Sequence, residues 1–128
     1  MINATTFAQL NPHIPPGLNF DLSVWKLQSL NQNLAFTEIN SAQLQAGHTS
    51  SFFYTDTTDG SMVFKVPSNG GTTSGSSYPR VELCQMTDGA NWALTDSNEH
   101  YLAAKCKITV VAEAKPQIII GQIHGSEN

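Results

Sequence analysis

The sequence predicts an all-β domain, a sandwich or jelly roll, and three observations support this. Short runs rich in β-branched and aromatic residues recur along the 128 residues, and turn signals separate them. No stretch carries the apolar stripe of a long amphipathic helix. Apolar residues make up 40% of the chain, which is enough for the core of one small domain.

The composition also narrows the function. Charged residues make up 12% of the chain, about half the usual share. The six Lys and Arg are scattered and the formal net charge is −4, so nucleic-acid binding is not expected. No run approaches about 18 consecutive apolar residues, so no membrane span is expected.

The first half of the chain contains three predicted strands. The proline-rich opening, to about Phe20, resists regular structure, and Ser23–Gln28 follows as a strand that places Lys26 and Gln28 on one face. Residues 29–47 fit neither a strand nor a helix. Two β-rich runs then flank an Asp-Gly turn, which predicts a hairpin. These runs are Ser51–Tyr54 and Met62–Val66.

The second half begins with a Gly- and Ser-rich segment, residues 67–77, which we expect to be a long exposed loop of the kind that often carries function. Three further strands are predicted after it. They are Tyr78–Met86, Tyr101–Val111 and Gln117–His124.

Two of these strands place polar side chains in pairs. The period of two puts Arg80 and Glu82 on one face of their strand, with Val81 and Leu83 opposite. From spacing alone, a solvated ion pair of little energetic value is the favoured interpretation.

The same arithmetic puts Gln122 and His124 on one face, about 7 Å apart, and a polar strand end is again the alternative. His13, His48 and His100 lack metal-ligand spacing and are expected at the surface. The two cysteines, Cys84 and Cys106, do not form a zinc motif, and whether they pair is left open.

The pairs also resemble a known family. Tyr78-Pro79-Arg80-Val81-Glu82-Leu83 is similar to the Arg-(Ser/Thr/Val)-Glu-(Leu/Val)-Arg motif of the polysaccharide lyase family 7 alginate lyases, and Gln122-Ile123-His124 is similar to their Gln-(Ile/Val)-His motif. Further likeness lies in residues 20–27, 52–54 and 62–64. The resemblance implies a β-jelly roll that cleaves alginate by β-elimination, endolytically, to unsaturated oligosaccharides.

The resemblance also implies roles for these residues. Arg80 and Gln122 would bind the uronate carboxylate, His124 would be the base, and Glu82 would orient Arg80 or contact sugar. Tyr78 is a further substrate-binding candidate. No metal or organic cofactor is implied.

Two departures from the family pattern stand out. Cys84 occupies the place of the motif's second Arg, and the family's third motif, Tyr-x-Lys-x-Gly-x-Tyr-x-Gln, does not occur in residues 1–128. We therefore expect residues 1–128 to be the N-terminal portion of one jelly-roll domain, with a C-terminal segment of that domain as its partner. We also expect these residues not to form a stable monomer alone.

The resemblance implies an alginate or related anionic polysaccharide as the ligand, and Ile123 favours guluronate-containing blocks. The expected localisation is secreted or periplasmic, although residues 1–6 do not have the pattern of a signal peptide. A non-catalytic sugar-binding jelly roll is the alternative function. Ultraviolet absorbance of unsaturated uronate separates the two.

Overall fold

The structure, a computed structural model, describes residues 9–86, 99 and 102–123. The chain divides into two compact units, Met1–Cys84 and Gln85–Asn128, and each is considered by itself.

The described regular elements are two short helices and five strands. In chain order they are α1 (Pro16–Asn19), β1 (Trp25–Leu30), β2 (Phe36–Ile39), α2 (Ser41–Gln45), β3 (Phe53–Thr55), β4 (Met62–Phe64) and β5 (Glu82–Gln85). The strands form a three-stranded sheet of order β2-β1-β5 and a two-stranded sheet of β3 and β4.

Strands β1 and β2 pair antiparallel through a tight connection. Gln28 lies opposite Glu38 in this register. The side chain of Asn31 accepts hydrogen bonds from the backbone N–H groups of Asn33 (2.9 Å) and Ala35 (3.1 Å), which fixes the turn. The strand predicted at Ser23–Gln28 is confirmed, with its bounds shifted by two residues.

Helix α2 lies in the segment whose sequence fits neither a strand nor a helix. Asn40 accepts a hydrogen bond from the Gln43 backbone, and the Gln43 side chain accepts one from the Asn40 backbone, so the helix begins with a capping box. Leu44 is its buried residue. The Asn-x-x-Gln spacing was the signal that could have revealed this helix from the sequence.

The predicted hairpin is confirmed by β3 and β4, which pair antiparallel with Phe53 opposite Phe64. Gly60 in its turn has φ +79°, a conformation that glycine adopts without steric cost. Its N–H donates to the Asp56 carbonyl at 2.9 Å, which closes the turn.

The core lies where the sheets and α2 meet. Its buried residues are Leu22, Leu27, Leu44 and Phe53, and Val81 and Leu83 pack against them. The prediction that Val81 and Leu83 point inward is therefore confirmed. Burying one such side chain fully stabilises the fold by about 1.5–3 kcal/mol.

The strands predicted at 101–111 and 117–124 are wrong over the described residues 102–123, which contain neither strand nor helix. Their apolar side chains are exposed, with Val110 at 81% and Ile119 at 75%. High β-propensity is not sufficient for a strand, because a strand also needs a neighbour that accepts its backbone hydrogen bonds. Within the described residues, no helix is long and apolar enough to cross a membrane.

Candidate active site on the outer face of the three-stranded sheet

The face of the β2-β1-β5 sheet that points away from the core carries a set of polar side chains. Leu27 and Leu83 face the core, so the residues that alternate with them on β1 and β5 face outward. We call this set the polar face. It comprises Lys26, Gln28, Glu38, Arg80, Glu82 and Cys84.

Arg80 and Glu82 form an ion pair, as the spacing predicts. The Arg80 Nη1 lies 3.1 Å from the Glu82 Oε1, and the two side chains are 26% and 30% exposed. Strand β5 is shorter than the predicted Tyr78–Met86, because it begins at Glu82. Pro79 accounts for the absence of Tyr78 and Pro79 from the strand, since it has no N–H for the ladder and restricts the residue before it.

The Arg80 guanidinium is only partly satisfied by this pair. Its Nε is buried and has no hydrogen-bond partner within the described part of the chain. An arginine side chain has five N–H donors in a planar fork that matches a carboxylate. Glu82 thus fixes one edge of the fork, and the remaining donors are suited to an anionic ligand.

Cys84 adjoins this pair and is a free thiol, as is Cys106. The Cys84 Sγ lies 4.0 Å from the Glu82 Oε1. Burial raises the pKa of the Cys84 thiol, and the Glu82 carboxylate raises it further, so the thiol remains protonated at neutral pH. Cys84 therefore adds no charge to the polar face.

A second ion pair on the polar face was missed from the sequence. The Lys26 Nζ lies 2.8 Å from the Glu38 Oε1, and the Gln28 Nε2 donates to the same oxygen at 3.0 Å. Hydrogen bonds from Lys26, and then from Gln28, hold the pKa of Glu38 below its ordinary value. The alternation in β1 placed Lys26 and Gln28 together, but no strand was predicted at Glu38.

The remaining predicted site residues are Tyr78, Gln122 and His124, of which the structure describes the first two. Tyr78 is 60% exposed, and its backbone carbonyl accepts a hydrogen bond from Ser76 Oγ at 2.8 Å. Gln122 is exposed and does not lie on a strand, which corrects the predicted strand face. His124 lies outside the described residues. The structure brings Arg80 and Glu82 together, and the roles that the family resemblance implies for Gln122 and His124 stay predictions.

The histidines have different settings. His13 is exposed as predicted, whereas His48 is half-buried and stacks on the Phe53 ring at 6.5 Å between centroids, so its surface prediction is wrong. His100 lies outside the described residues. Among residues 9–86, 99 and 102–123, no group of three or more His, Cys, Asp or Glu could hold a metal ion.

A shallow cavity of about 390 Å³ lies apart from this chemistry. It is lined by the N-terminal segment and by residues around β3, among them His13, Tyr54 and Thr57. None of its lining residues belongs to the polar face. The polar face therefore remains the candidate site, because it carries the paired charges.

Comparison with known proteins identifies the family. The sequence model of the alginate lyase family matches residues 20–128. The chain belongs to this family. An alginate lyase of Klebsiella pneumoniae is 32% identical over 145 residues, which cover 88% of this chain and 47% of that protein. The chain thus spans about half the length of this curated relative.

Solved family members resemble the chain more closely in sequence. The family 7 alginate lyase A1-II′ in complex with substrate (GGMG) is 55% identical, with a TM-score of 0.58, over 64% of this chain and 36% of that one. A crystal structure of A1-II′ at 1.0 Å, described as a member of polysaccharide lyase family 7, gives 56% identity and a TM-score of 0.55 over 61% and 35% of the two chains. These relatives confirm the family 7 resemblance and the all-β jelly-roll class predicted from the sequence.

Proposed function

We propose that the chain carries the Arg80 side of an alginate lyase active site, which cleaves 1,4-linked uronate polysaccharide by β-elimination. The Arg80–Glu82 pair is the observation that carries this proposal. It presents a guanidinium fork, fixed on one edge, on the outer face of a sheet in a chain of this family. Arg80 would bind the uronate carboxylate, and Glu82 would orient Arg80.

The reaction needs three functions. A base removes the proton from C5, the C4–O bond breaks with its electrons on the leaving oxygen, a C4=C5 double bond forms, and an acid protonates that oxygen. Negative charge accumulates on the carboxylate during proton removal, so donors at Arg80 and Gln122 would lower the barrier. His124 is the proposed base, and a tyrosine of the third motif, which residues 1–128 do not contain, is the proposed acid.

The non-catalytic sugar-binding module is not favoured as an alternative. The matching family model and two solved chains with 55–56% identity are alginate lyases. We keep three finer expectations within the proposal. They are endolytic action on guluronate-containing blocks, release from the cytoplasm to the periplasm or medium, and binding of an anionic polysaccharide.

The test is to mix the full-length protein with alginate and record the ultraviolet absorbance of unsaturated uronate. Arg80→Gln is expected to lower the rate by about a hundredfold or more, since it removes a donor to the developing charge. Arg80→Lys keeps the charge and loses the fork, and should remain well below the native rate.

Lys65→Gln is the matched control, because it removes one cation that is not part of the polar face. It should leave the rate unchanged. Binding of alginate by the native protein without any rise in absorbance would contradict the lyase and support the binding module.

A further inference from the structure

The Lys26–Glu38 ion pair on the polar face has a geometry similar to that of the Arg80–Glu82 pair. In each pair, a cation on one strand or its approach contacts a carboxylate about 3 Å away, and the side chains are partly exposed. Lys26 lies on β1 and Glu82 lies on the adjacent strand β5. Neighbouring strands are about 4.8 Å apart, so the pairs are within reach of one extended ligand.

The charged groups of both ion pairs affect the pKa of the same residue, Cys84. Burial raises the pKa of the Cys84 thiol, the Glu82 and Glu38 carboxylates raise it further, and Lys26 and Arg80 lower it. All of these residues belong to the unit Met1–Cys84.

Lys26 is held in a defined position. The Glu38 Oε1 accepts both the Lys26 Nζ at 2.8 Å and the Gln28 Nε2 at 3.0 Å. The Gln28 Oε1 is buried and lacks a hydrogen-bond partner in the described ranges, so it is an unused acceptor beside Lys26 and Glu38. Lys26 itself remains 30% exposed, which leaves its ammonium accessible to an anion.

We propose that Lys26, whose ammonium exchanges the Glu38 carboxylate for that of the ligand, binds the carboxylate of a uronate next to the one that Arg80 holds. A polyuronate has a carboxylate on every sugar, so a second cation on the adjacent strand meets a second sugar. Lys26 then raises affinity for the polymer and leaves the chemical step to Arg80. This inference rests on the proposed function for its ligand.

The first test compares Lys26→Gln with Lys65→Gln in the full-length protein. Lys26→Gln is expected to raise KM for alginate about two- to fivefold at low salt, with kcat unchanged, and the difference should shrink as salt screens the charge. Lys26→Arg should keep the native KM. Equal KM values for Lys26→Gln and Lys65→Gln would overturn the inference.

The second test uses a substitution that is expected to lower KM rather than raise it. Glu38→Gln releases Lys26 from its carboxylate, so KM should fall, whereas Glu113→Gln, an exposed carboxylate in the other unit, should leave KM unchanged. A rise in KM for both Lys26→Gln and Glu38→Gln would indicate a merely structural pair and contradict the proposal.

Direct binding separates this inference from the proposed function. Titration calorimetry with alginate oligomers measures affinity whether or not elimination occurs. Lys26-dependent affinity without absorbance would refute the lyase and retain the Lys26 site. Absorbance with affinity independent of Lys26 would retain the lyase and refute the site.

Discussion

Residues 25–85 and residues 102–123 are both rich in strand-forming side chains, yet they have different structures. The first region contains five strands and a core in which Leu27 and Phe53 are fully buried. The second has no described strand, and Ile119 is 75% exposed. The difference shows that a strand depends on a paired neighbour and a covered apolar face more than on its own propensity.

The largest expected contrast is in amide hydrogen exchange of residues 1–128. Amides of the central strand β1 should exchange about tenfold more slowly than those of residues 102–123, because β1 has a paired strand on each side and a buried Leu27, whereas residues 102–123 have no described strand. Strong protection across 102–111 in a monodisperse monomer would contradict both this contrast and the expectation that residues 1–128 alone are not stably folded.

A core substitution sharpens the same comparison. Phe53→Ala should lower the free energy of unfolding by about 3–5 kcal/mol, since the ring is fully buried and packs on Phe64 at 5.4 Å between centroids. Ile119→Ala is the control and should change it by less than about 0.5 kcal/mol. Chemical denaturation of the full-length protein measures both free energies. A large effect of Ile119→Ala would show that the Ile119 side chain is buried in that protein.

Local capping should have a smaller effect. Asn40→Ala removes the acceptor for the Gln43 N–H and should cost about 1 kcal/mol of stability. Asn33→Ala is a suitable comparison, because its backbone rather than its side chain donates to Asn31. If the two variants have equal stability, the capping box does not stabilise α2.

A substitution on the polar face should change the KM for alginate rather than the stability. Cys84→Arg would place a cation beside Glu82 and is expected to lower KM for alginate by about two- to fivefold, more at low salt. The measurement is KM across ionic strengths in the full-length protein. An unchanged KM at every salt concentration would count against a ligand-binding role for this face.

The smallest expected effect is a pH dependence at His48. Burial lowers its pKa below the ordinary value of 6.5, so the unfolded chain takes up the proton more readily. His48 therefore contributes full stability above pH 6.5, and this contribution falls as the pH drops from 6.5 through the folded pKa. His48→Gln should flatten the decline seen in denaturation curves, whereas His13→Gln, at an exposed position, should not.

The Arg80–Glu82 pair shows how much of the site could be predicted from the sequence. Period-two alternation placed both residues on one face, and the structure joins them at 3.1 Å. The Lys26–Glu38 pair could not be predicted, because Glu38 comes from a different strand of the sheet. Which residue of β2 lies opposite Gln28 depends on strand register, which the turn at Asn31 sets.

The sequence by itself determined the all-β class, the β3–β4 hairpin and the inward direction of Val81 and Leu83, since these depend on short-range alternation and turn chemistry. Tertiary structure alone decided that β1 lies between β2 and β5, and that residues 102–123 do not form the strands predicted there. The physical reason is that β1 and β5 are distant in sequence, so no local pattern reveals that they pair. Local propensity supplies a candidate strand, and its neighbours decide whether it forms.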